Sequence, residues 1–285
     1  FGLPYKELEK INPKAVMTSI SNFGQTGPYR DYKATEIVSF AMGGRMFLQG
    51  LPDREPLKFA GNASQYLTGT KAALATISAV LGVGINGEGQ HVDISIFECM
   101  VGAVDSLLPN YGYSGDVSSR NRAVGVGGFY RCKDGYVQVL GLRWPRMVKM
   151  LGKPELISDP RFTTMAAMRE NKVEYEALLS PWLEARTREE ATAEAQASGV
   201  FVAPVLTIGE AVEHHHHRAR EFFVEVTHPK LGKILCPGAP FKMSETPWQV
   251  RQAAPLLGEH NVEVYTERLG YTREDLVRLR ERGVI

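Results

Sequence analysis

The sequence is poor in cysteine, in charge of one sign and in long apolar runs, and each shortage excludes a class of protein. Its three cysteines, Cys99, Cys132 and Cys236, show no CxxC spacing, which fits a reducing cytoplasm better than a disulfide framework. The 33 basic and 32 acidic residues nearly cancel and form no block that indicates binding to nucleic acid. No run of 18 apolar residues is present, so the sequence predicts no transmembrane helix and no membrane partner.

The common catalytic motifs are also missing, since the sequence contains no GxSxG, HExxH or Walker pattern. Four consecutive histidines, 214–217, are the most conspicuous metal-type feature. A helix brings only residues three or four apart onto one face, and Glu213 is the only carboxylate near them. We therefore expect no physiological metal site.

Alternating strands and helices occupy the first part of the 285 residues. Apolar and turn-forming patterns predict strands at 15–20 and 91–95, and helices at 35–48, 66–82 and 96–108. Strands and helices that alternate at this spacing are typical of a parallel sheet.

The character of the chain changes near Pro109. Two short strands, 129–132 and 136–141, flank a Lys-Asp-Gly hairpin turn, and charged amphipathic helices follow. From about Phe222 the chain turns to strands interrupted by proline and glycine, and it ends in a helix. We predict an α/β fold in which a large domain, 1–110 and 223–285, is interrupted by a small α+β domain, 111–222.

Several candidate site residues follow from this organisation. Gln65 lies at the N-terminal end of the 66–82 helix, here called its mouth. Lys33 and Glu36, placed on the preceding helix, can face the same crevice. Isolated charges usually belong to solvated surface, so neither one identifies a site by itself. The GVGG run, 125–128, is either a turn before a strand or a mobile flap whose bare backbone approaches a ligand.

Six strings taken together are more specific than any single motif. They are 19–31 (SISNFGQTGPYRD), 87–98 (GEGQHVDISIFE), 129–137 (FYRCKDGYV), 159–162 (DPRF), 228–247 (HPKLGKILCPGAPFKMSETP) and 254–260 (APLLGEH). In this order they resemble the class III CoA-transferases, the formyl-CoA, carnitine-CoA and benzylsuccinate-CoA transferase family.

The resemblance implies a Rossmann-like large domain with an inserted small domain, and a dimer of interlocked rings. It also implies that coenzyme A or an acyl-CoA and a small carboxylic acid bind as substrates, without a covalently bound cofactor. We expect the family's N-terminal segment, with the first Rossmann-like strands and part of the CoA site, to precede Phe1.

Specific roles are implied for several residues. Lys33 falls where formyl-CoA transferases have a CoA-contacting lysine, and Glu36 where they carry a glutamate near the active site. Gly125, Gly127 and Gly128 resemble the glycine-rich loop that covers the reacting centre.

The family's nucleophile is an aspartate four residues before a glycine at a helix mouth. The matching glycine is Gly69, so Gln65 occupies the nucleophile position, and no acidic residue lies between Glu55 and Glu88. The related racemases use a histidine and an aspartate, which would fall at Thr35 and Gln65; both are absent.

Three hypotheses follow. In the preferred one, the chain is the non-catalytic subunit of a cytoplasmic heteromer whose homologous partner carries the aspartate, with a succinyl-CoA-like donor. Alternatively, a homodimeric CoA-transferase or CoA-thioester isomerase uses another nucleophile, Ser64 or Thr68, although the sequence shows no base to activate it. The third is a non-enzymatic acyl-CoA-binding protein. Whether Gln65 is natural or engineered stays open.

Overall fold

The computed structural model describes residues 2–104, 107–117, 120, 127–140 and 143–285. The chain forms two compact units, Phe1–Ala203 and Pro204–Ile285. Both contain helices and strands, and the predicted mixed α/β class is confirmed. The discontinuous large domain, 1–110 with 223–285, and the small domain, 111–222, stay predictions.

The first part of unit one is built around two parallel strands. Its elements are α1 (Tyr5–Ile11), β1 (Met17–Ser21), α2 (Glu36–Met42), α3 (Ala63–Asn86), β2 (His91–Ser95) and α4 (Ile96–Val101). β1 and β2 pair in parallel, with Met17 opposite His91 and Ser21 opposite Ser95. α3 packs against both strands and against α2 and α4, as the predicted strand–helix alternation requires.

The predicted C-terminal ends of three helices are wrong, and glycines explain two of these errors. α2 ends at Met42, before Gly43 and Gly44, and a separate 3-10 helix follows at Met46–Leu48. α3 begins at Ala63, three residues before the predicted start, so Gln65 lies in its first turn. It continues through Gly82 to Asn86 and is capped by Gly87, whose φ of 79° is left-handed and favours glycine. The predicted 96–108 helix stops at Val101, and α5 begins at Leu107.

α3 is long and apolar enough to cross a membrane, judged by length and composition alone. The prediction of no transmembrane helix rested on the absence of 18 consecutive apolar residues. Helix length and mean hydropathy, by contrast, also admit apolar stretches that polar residues interrupt. Core helices of soluble proteins pass the same test, so the match is weak evidence for a span.

The second part of unit one has a three-stranded sheet in the order β3-β4-β5. Its elements are α5 (Leu107–Ser114), β3 (Gly127–Cys132), β4 (Gly135–Leu140), α6 (Trp144–Leu151), α7 (Met165–Glu170), α8 (Lys172–Glu184), α9 (Arg188–Ala197) and β5 (Phe201–Pro204). β3 and β4 pair antiparallel around Lys133 and Asp134, which confirms the predicted hairpin. Helices α8 and α9 pack on these strands, and buried side chains of the sheet, of helices α6 to α9 and of the loop that carries Phe162 form the main hydrophobic core.

Unit two consists of a hairpin and short helices. Its elements are α10 (Ile208–Glu213), α11 (His215–Ala219), β6 (Phe223–His228), β7 (Gly232–Pro237), a π-helix (Glu263–Arg268) and α12 (Arg273–Glu281). β6 and β7 pair antiparallel, with Phe223 opposite Pro237 and His228 opposite Gly232. The predicted strands after Phe222 and the terminal helix are confirmed.

Candidate functional site

The start of α3 is held by a carboxylate that comes from another helix. Asn62, in the N-cap position, makes no side-chain cap hydrogen bond. Glu36, the first residue of α2, accepts one instead: its Oε1 lies 3.0 Å from the Ser64 backbone nitrogen, and its Oε2 accepts from the Ser64 hydroxyl. The Gln65 backbone N–H also interacts with this carboxylate. Glu36 thereby satisfies donors that the first turn of a helix leaves free, and its charge complements the helix dipole.

Lys58 ties the loop before α3 to the same carboxylate. Its Nζ lies 3.8 Å from Oε1 of Glu36 and donates to the carbonyl oxygens of Phe59 and Gly61, at 2.6 and 2.5 Å. The Glu36 side chain is only 10% exposed, so this charge is partly shielded from water. Glu36, Ser64 and Lys58 are here called the mouth network. This network holds both the loop before α3 and the first turn of α3.

The pKa of Glu36 is lowered although burial alone would raise it. The Ser64 hydroxyl and N–H, the Lys58 ammonium and the Gln65 N–H outweigh the burial and hold this pKa below the ordinary 4.5. Glu36 is therefore ionised at neutral pH. The same contacts make it a weak proton acceptor and occupy its oxygens.

Gln65 is exposed at this mouth, whereas the two nearest hydroxyls are not. Ser64 and Thr68 are almost fully buried, and the Thr68 hydroxyl donates to the Ser64 carbonyl at 2.7 Å. The structure therefore brings Glu36 next to position 65 and leaves an amide side chain facing solvent.

Lys33 is exposed but does not lie on a helix, so its predicted placement there is wrong. α2 begins only at Glu36, and Lys33 belongs to the loop between β1 and α2. The Asn22 side-chain amide closes this loop by donating to the Ala34 carbonyl at 3.3 Å.

The described end of the glycine-rich run, Gly127 and Gly128, lies in a different sheet from β1 and β2. Gly127 and Gly128 begin β3 and stand opposite Leu140 and Val139 of β4. Gly127 has a φ of 125°, which only glycine adopts without strain. Gly125 lies outside the described residues, so a flap over a ligand stays a prediction.

One of the four histidines, His214, hydrogen-bonds to the backbone of this same run. His214 caps α11, because its Nδ1 accepts from the His216 N–H at 3.2 Å, and its ring stacks on that of His215 with centroids 4.4 Å apart. Within the described ranges, no three histidine, cysteine or acidic side chains converge as metal ligands would.

Comparison with known proteins adds to this geometry. The model of CoA-transferase family III matches residues 1–261. The chain belongs to this family. It is similar to a succinyl-CoA–D-citramalate CoA-transferase from Chloroflexus aurantiacus, at 33% identity over all of this chain and 73% of the relative. Its fold matches the crystal structure of a CaiB/BaiF family protein from Brucella suis, with a TM-score of 0.80 and 29% identity over 93% of this chain and 71% of that one.

Two further relatives of this CoA-transferase come from C. aurantiacus and are named as the beta and alpha subunits of a succinyl-CoA–L-malate CoA-transferase. They are 29% and 28% identical over the whole chain, which covers 73% and 65% of their lengths. The family therefore includes relatives named as two different subunits of one enzyme.

Because the chain belongs to this family, CoA thioesters are the substrate class. The question at the start of α3 is therefore whether Gln65 can react with a thioester. A neutral amide oxygen is a poor nucleophile, so Gln65 can hydrogen-bond to a substrate but cannot form the acyl anhydride that a carboxylate forms. The mouth therefore offers a binding contact where the resemblance implies a reacting carboxylate.

Sequence reasoning missed two features of this CoA-transferase site. It did not find Lys58, and it found no base for Ser64, although the Glu36 carboxylate accepts the hydrogen bond of that hydroxyl. Glu36 and Ser64 are 28 residues apart, and no local pattern links them. Only the folded structure shows that Ser64 is buried at the second position of α3, after an N-cap that makes no side-chain bond, so the sequence carried no signal for this contact.

Proposed function

We propose that this chain is the non-catalytic subunit of a heteromeric class III CoA-transferase. The enzyme moves CoA from a succinyl-CoA-like donor to a small carboxylic acid. The observation that carries the proposal is Gln65, an exposed amide at the mouth of α3 where the family resemblance implies an aspartate. The partner is a homologous chain that keeps this aspartate.

The intact mouth network supports a heteromer in which this chain keeps the structure of the site and the partner supplies the nucleophile. Glu36, Ser64 and Lys58 still fix the start of α3, although the residue they present cannot react. A chain that had lost its role entirely would have no need of a buried, fully partnered carboxylate at this point. Two similar proteins are named as the alpha and beta subunits of one CoA-transferase, which supports an assembly of two homologous chains.

The proposed chemistry takes place on the partner's aspartate. Its carboxylate attacks the donor thioester carbonyl, and the C–S bond breaks to give a mixed anhydride and CoA thiolate. The thiolate attacks the aspartyl carbonyl and releases the donor carboxylate, leaving an aspartyl-CoA thioester. The acceptor carboxylate attacks this thioester and displaces the thiolate, which then takes the acceptor's acyl group and frees the aspartate.

The proposal also includes the assembly. The two chains form interlocked rings with Rossmann-like large domains, in the cytoplasm. The three free thiols, Cys99, Cys132 and Cys236, fit a reducing compartment.

The test compares the chain alone with the chain and its homologous partner, assayed for CoA transfer from succinyl-CoA to small carboxylic acids. We expect no turnover alone and turnover from the pair. In the pair, replacing the partner's aspartate by asparagine abolishes activity, whereas Gln65→Asn changes it by less than about twofold, because an amide replaces an amide. Activity of this chain alone would overturn the proposal.

A gain-of-function variant sharpens this test. Gln65→Asp places a carboxylate at a mouth that is already fixed, so we expect detectable turnover without the partner's aspartate. Gln65→Asn, which adds no charge, serves as the matched control and stays inactive.

A second candidate is a homodimeric transferase or CoA-thioester isomerase with Ser64 as nucleophile. The hydrogen bond from Ser64 to Glu36 favours it, because it supplies the carboxylate base that a serine needs. The burial of Ser64 and the lowered pKa of Glu36 oppose it. Turnover with a radiolabelled acyl donor, stopped with acid, would leave the acyl group as an ester on a peptide within 60–70 in this candidate alone, and hydroxylamine would then release that label. CoA binding without turnover by any pair of chains would instead indicate a non-enzymatic acyl-CoA-binding protein.

A further inference from the structure

Unit two contains an open cleft with a volume of about 870 Å³. It lies between α11, the start of β6 and the segment that follows β7, residues 238–250. Its apolar lining is largely aromatic and includes Phe222, Phe241, Met243 and Trp248. Phe241 and Trp248 are 55% and 43% exposed, so their rings are accessible to a ligand. Clefts of this size with aromatic lining are typical binding sites for small organic molecules.

The backbone holds this aromatic lining in place. The Gly238 N–H donates to the Phe222 carbonyl at 2.7 Å, and this bond joins the segment after β7 to the start of β6. A Cβ atom at Gly238 would lie 2.8 Å from that carbonyl oxygen and 3.2 Å from the Trp248 ring, so Trp248 packs where only glycine fits. The Phe222 ring packs against those of His217 and Phe223, with centroids 5.5 and 5.0 Å away. These contacts form the aromatic surface before any ligand binds.

Charge defines the kind of ligand that the cleft can bind. Both acidic side chains of the lining have partners: Glu221 lies 3.6 Å from Lys242, and Glu225 lies 2.7 Å from Lys233. In the part of the chain that the structure describes, no carboxylate lies within ion-pair distance of the Arg220 guanidinium, which also lines the cleft. The cleft therefore presents one positive charge without a counter-ion, and a planar guanidinium suits the two oxygens of a carboxylate.

The turn from α11 into β6 is a strained point of this lining. Glu221 has a φ of 54°, and it is the only non-glycine residue with a positive φ among those that the structure describes. It stands between Arg220 and Phe222, so its conformation sets where the cation and the aromatic lining meet. Its exposed pair with Lys242 contributes little stability. A strained residue that stability does not explain is typical of a ligand site.

We propose that this cleft binds an aromatic carboxylate, with the ring against Trp248 and Phe241 and the carboxylate paired with Arg220. A flat ring stacks on the indole and phenyl faces, and the guanidinium donates to both carboxylate oxygens. The four-histidine run contributes two imidazoles, those of His216 and His217, to the same lining. The site uses no residue of the mouth network, so this inference does not rest on the proposed function.

The test measures the affinity of the full chain for three probes by calorimetry. They are 2-naphthoate, its uncharged amide 2-naphthamide, and cyclohexanecarboxylate, which keeps the charge but has no aromatic ring. We expect 2-naphthoate to bind roughly tenfold more tightly than either of the others, and Arg220→Gln to remove that advantage while the affinity for 2-naphthamide stays unchanged. The matched control, Arg280→Gln on α12, removes an exposed arginine that does not line the cleft, so it changes neither affinity.

Two further variants test the aromatic lining. Trp248→Leu and Phe241→Leu keep apolar bulk but remove a ring face, so each should weaken the binding of both naphthyl probes about fivefold. Trp248→Phe keeps a ring face and should retain most of the affinity. Because Trp248 packs on Gly238, thermal denaturation checks that its variants are folded, and Phe241→Leu, at the more exposed position, gives the same test independently.

Several results would overturn this inference and leave the proposed function intact. One is the absence of saturable 2-naphthoate binding by the wild type, and another is equal affinity for 2-naphthoate and 2-naphthamide, because Arg220 would then contribute nothing. Equal losses in Arg220→Gln and Arg280→Gln would show a general effect of charge. Unchanged binding in both folded leucine variants would show that the probe binds elsewhere. Failure of CoA transfer by the pair of chains would overturn the proposed function alone.

Discussion

The two parts of unit one are packed in different ways. In the β3-β4-β5 part, helices close over the sheet, and every member of the main buried cluster lies between Tyr130 and Val202. In the β1-β2 part, apolar side chains of α3 face outward, and Leu81 and Ile85 are 66% and 85% exposed. The β3-β4-β5 part completes its own core, whereas the β1-β2 part, which carries the candidate site, leaves an apolar face of α3 exposed.

The difference shows how the site is held. Around α3 the buried residues include the polar Ser39, Ser64, Thr68 and Ser95, and the Glu36 carboxylate makes the contacts that fix the helix start. Parallel sheets normally have both faces covered, and monomeric proteins rarely expose broad apolar patches. The site region therefore depends on specific polar contacts, while the other part depends on its apolar core.

The largest effect is expected from a cavity in the closed core. Leu179 on α8 is fully buried, so Leu179→Ala should lower the free energy of unfolding by about 2–5 kcal/mol. Urea denaturation followed by circular dichroism measures this. A loss below about 1 kcal/mol would show that this core is not as closed as its burial indicates.

The second effect concerns the mouth network. Glu36→Ala removes the carboxylate and leaves the Ser64 N–H and hydroxyl without their acceptor, so we expect a loss of about 1.5–3 kcal/mol. The matched control is Glu7→Ala on α1, whose exposed pair with Lys10 contributes on the order of 0–1 kcal/mol. Equal losses in both variants would show that the mouth of α3 is not specifically held.

The third effect is the pH dependence of the same carboxylate. Because the pKa of Glu36 is lower in the folded protein than its ordinary 4.5, its stabilising contribution is complete above 4.5 and disappears as the pH falls through the folded value. Denaturation of the wild type and of Glu36→Gln from about pH 7 to about pH 3 should show a difference that shrinks only in the acid range. A difference that instead grew toward acid pH would mean that the folded pKa is raised.

The smallest effect on stability is expected on the uncovered face of α3. Leu81→Ala removes a side chain that is mostly in water, so the unfolding free energy of the chain alone should change by less than about 0.5 kcal/mol. In the assembled protein the same change should weaken association with the partner, measured by sedimentation. A loss like that of Leu179→Ala in the isolated chain would show that α3 is already covered.

Local patterns were sufficient for most of the fold. The strands predicted at 15–20 and 91–95 are found at 17–21 and 91–95, and their parallel pairing and the Lys133-Asp134 hairpin follow from apolar periodicity and turn residues. Helix ends were less predictable: α3 continues through Gly82, because glycine tolerates helical angles as readily as it ends helices. Lys33 was misplaced by the same uncertainty at the start of α2.

The sequence by itself determined the residue types at the site and, through six ordered strings, the family. It also determined that position 65 carries an amide, which no folding can convert into a nucleophile. The tertiary structure alone decided that Glu36 caps α3, that Ser64 is buried against it, and that Gln65 faces solvent. These contacts join residues 28 or more positions apart. Chain folding brings them together, and no short-range pattern encodes their meeting.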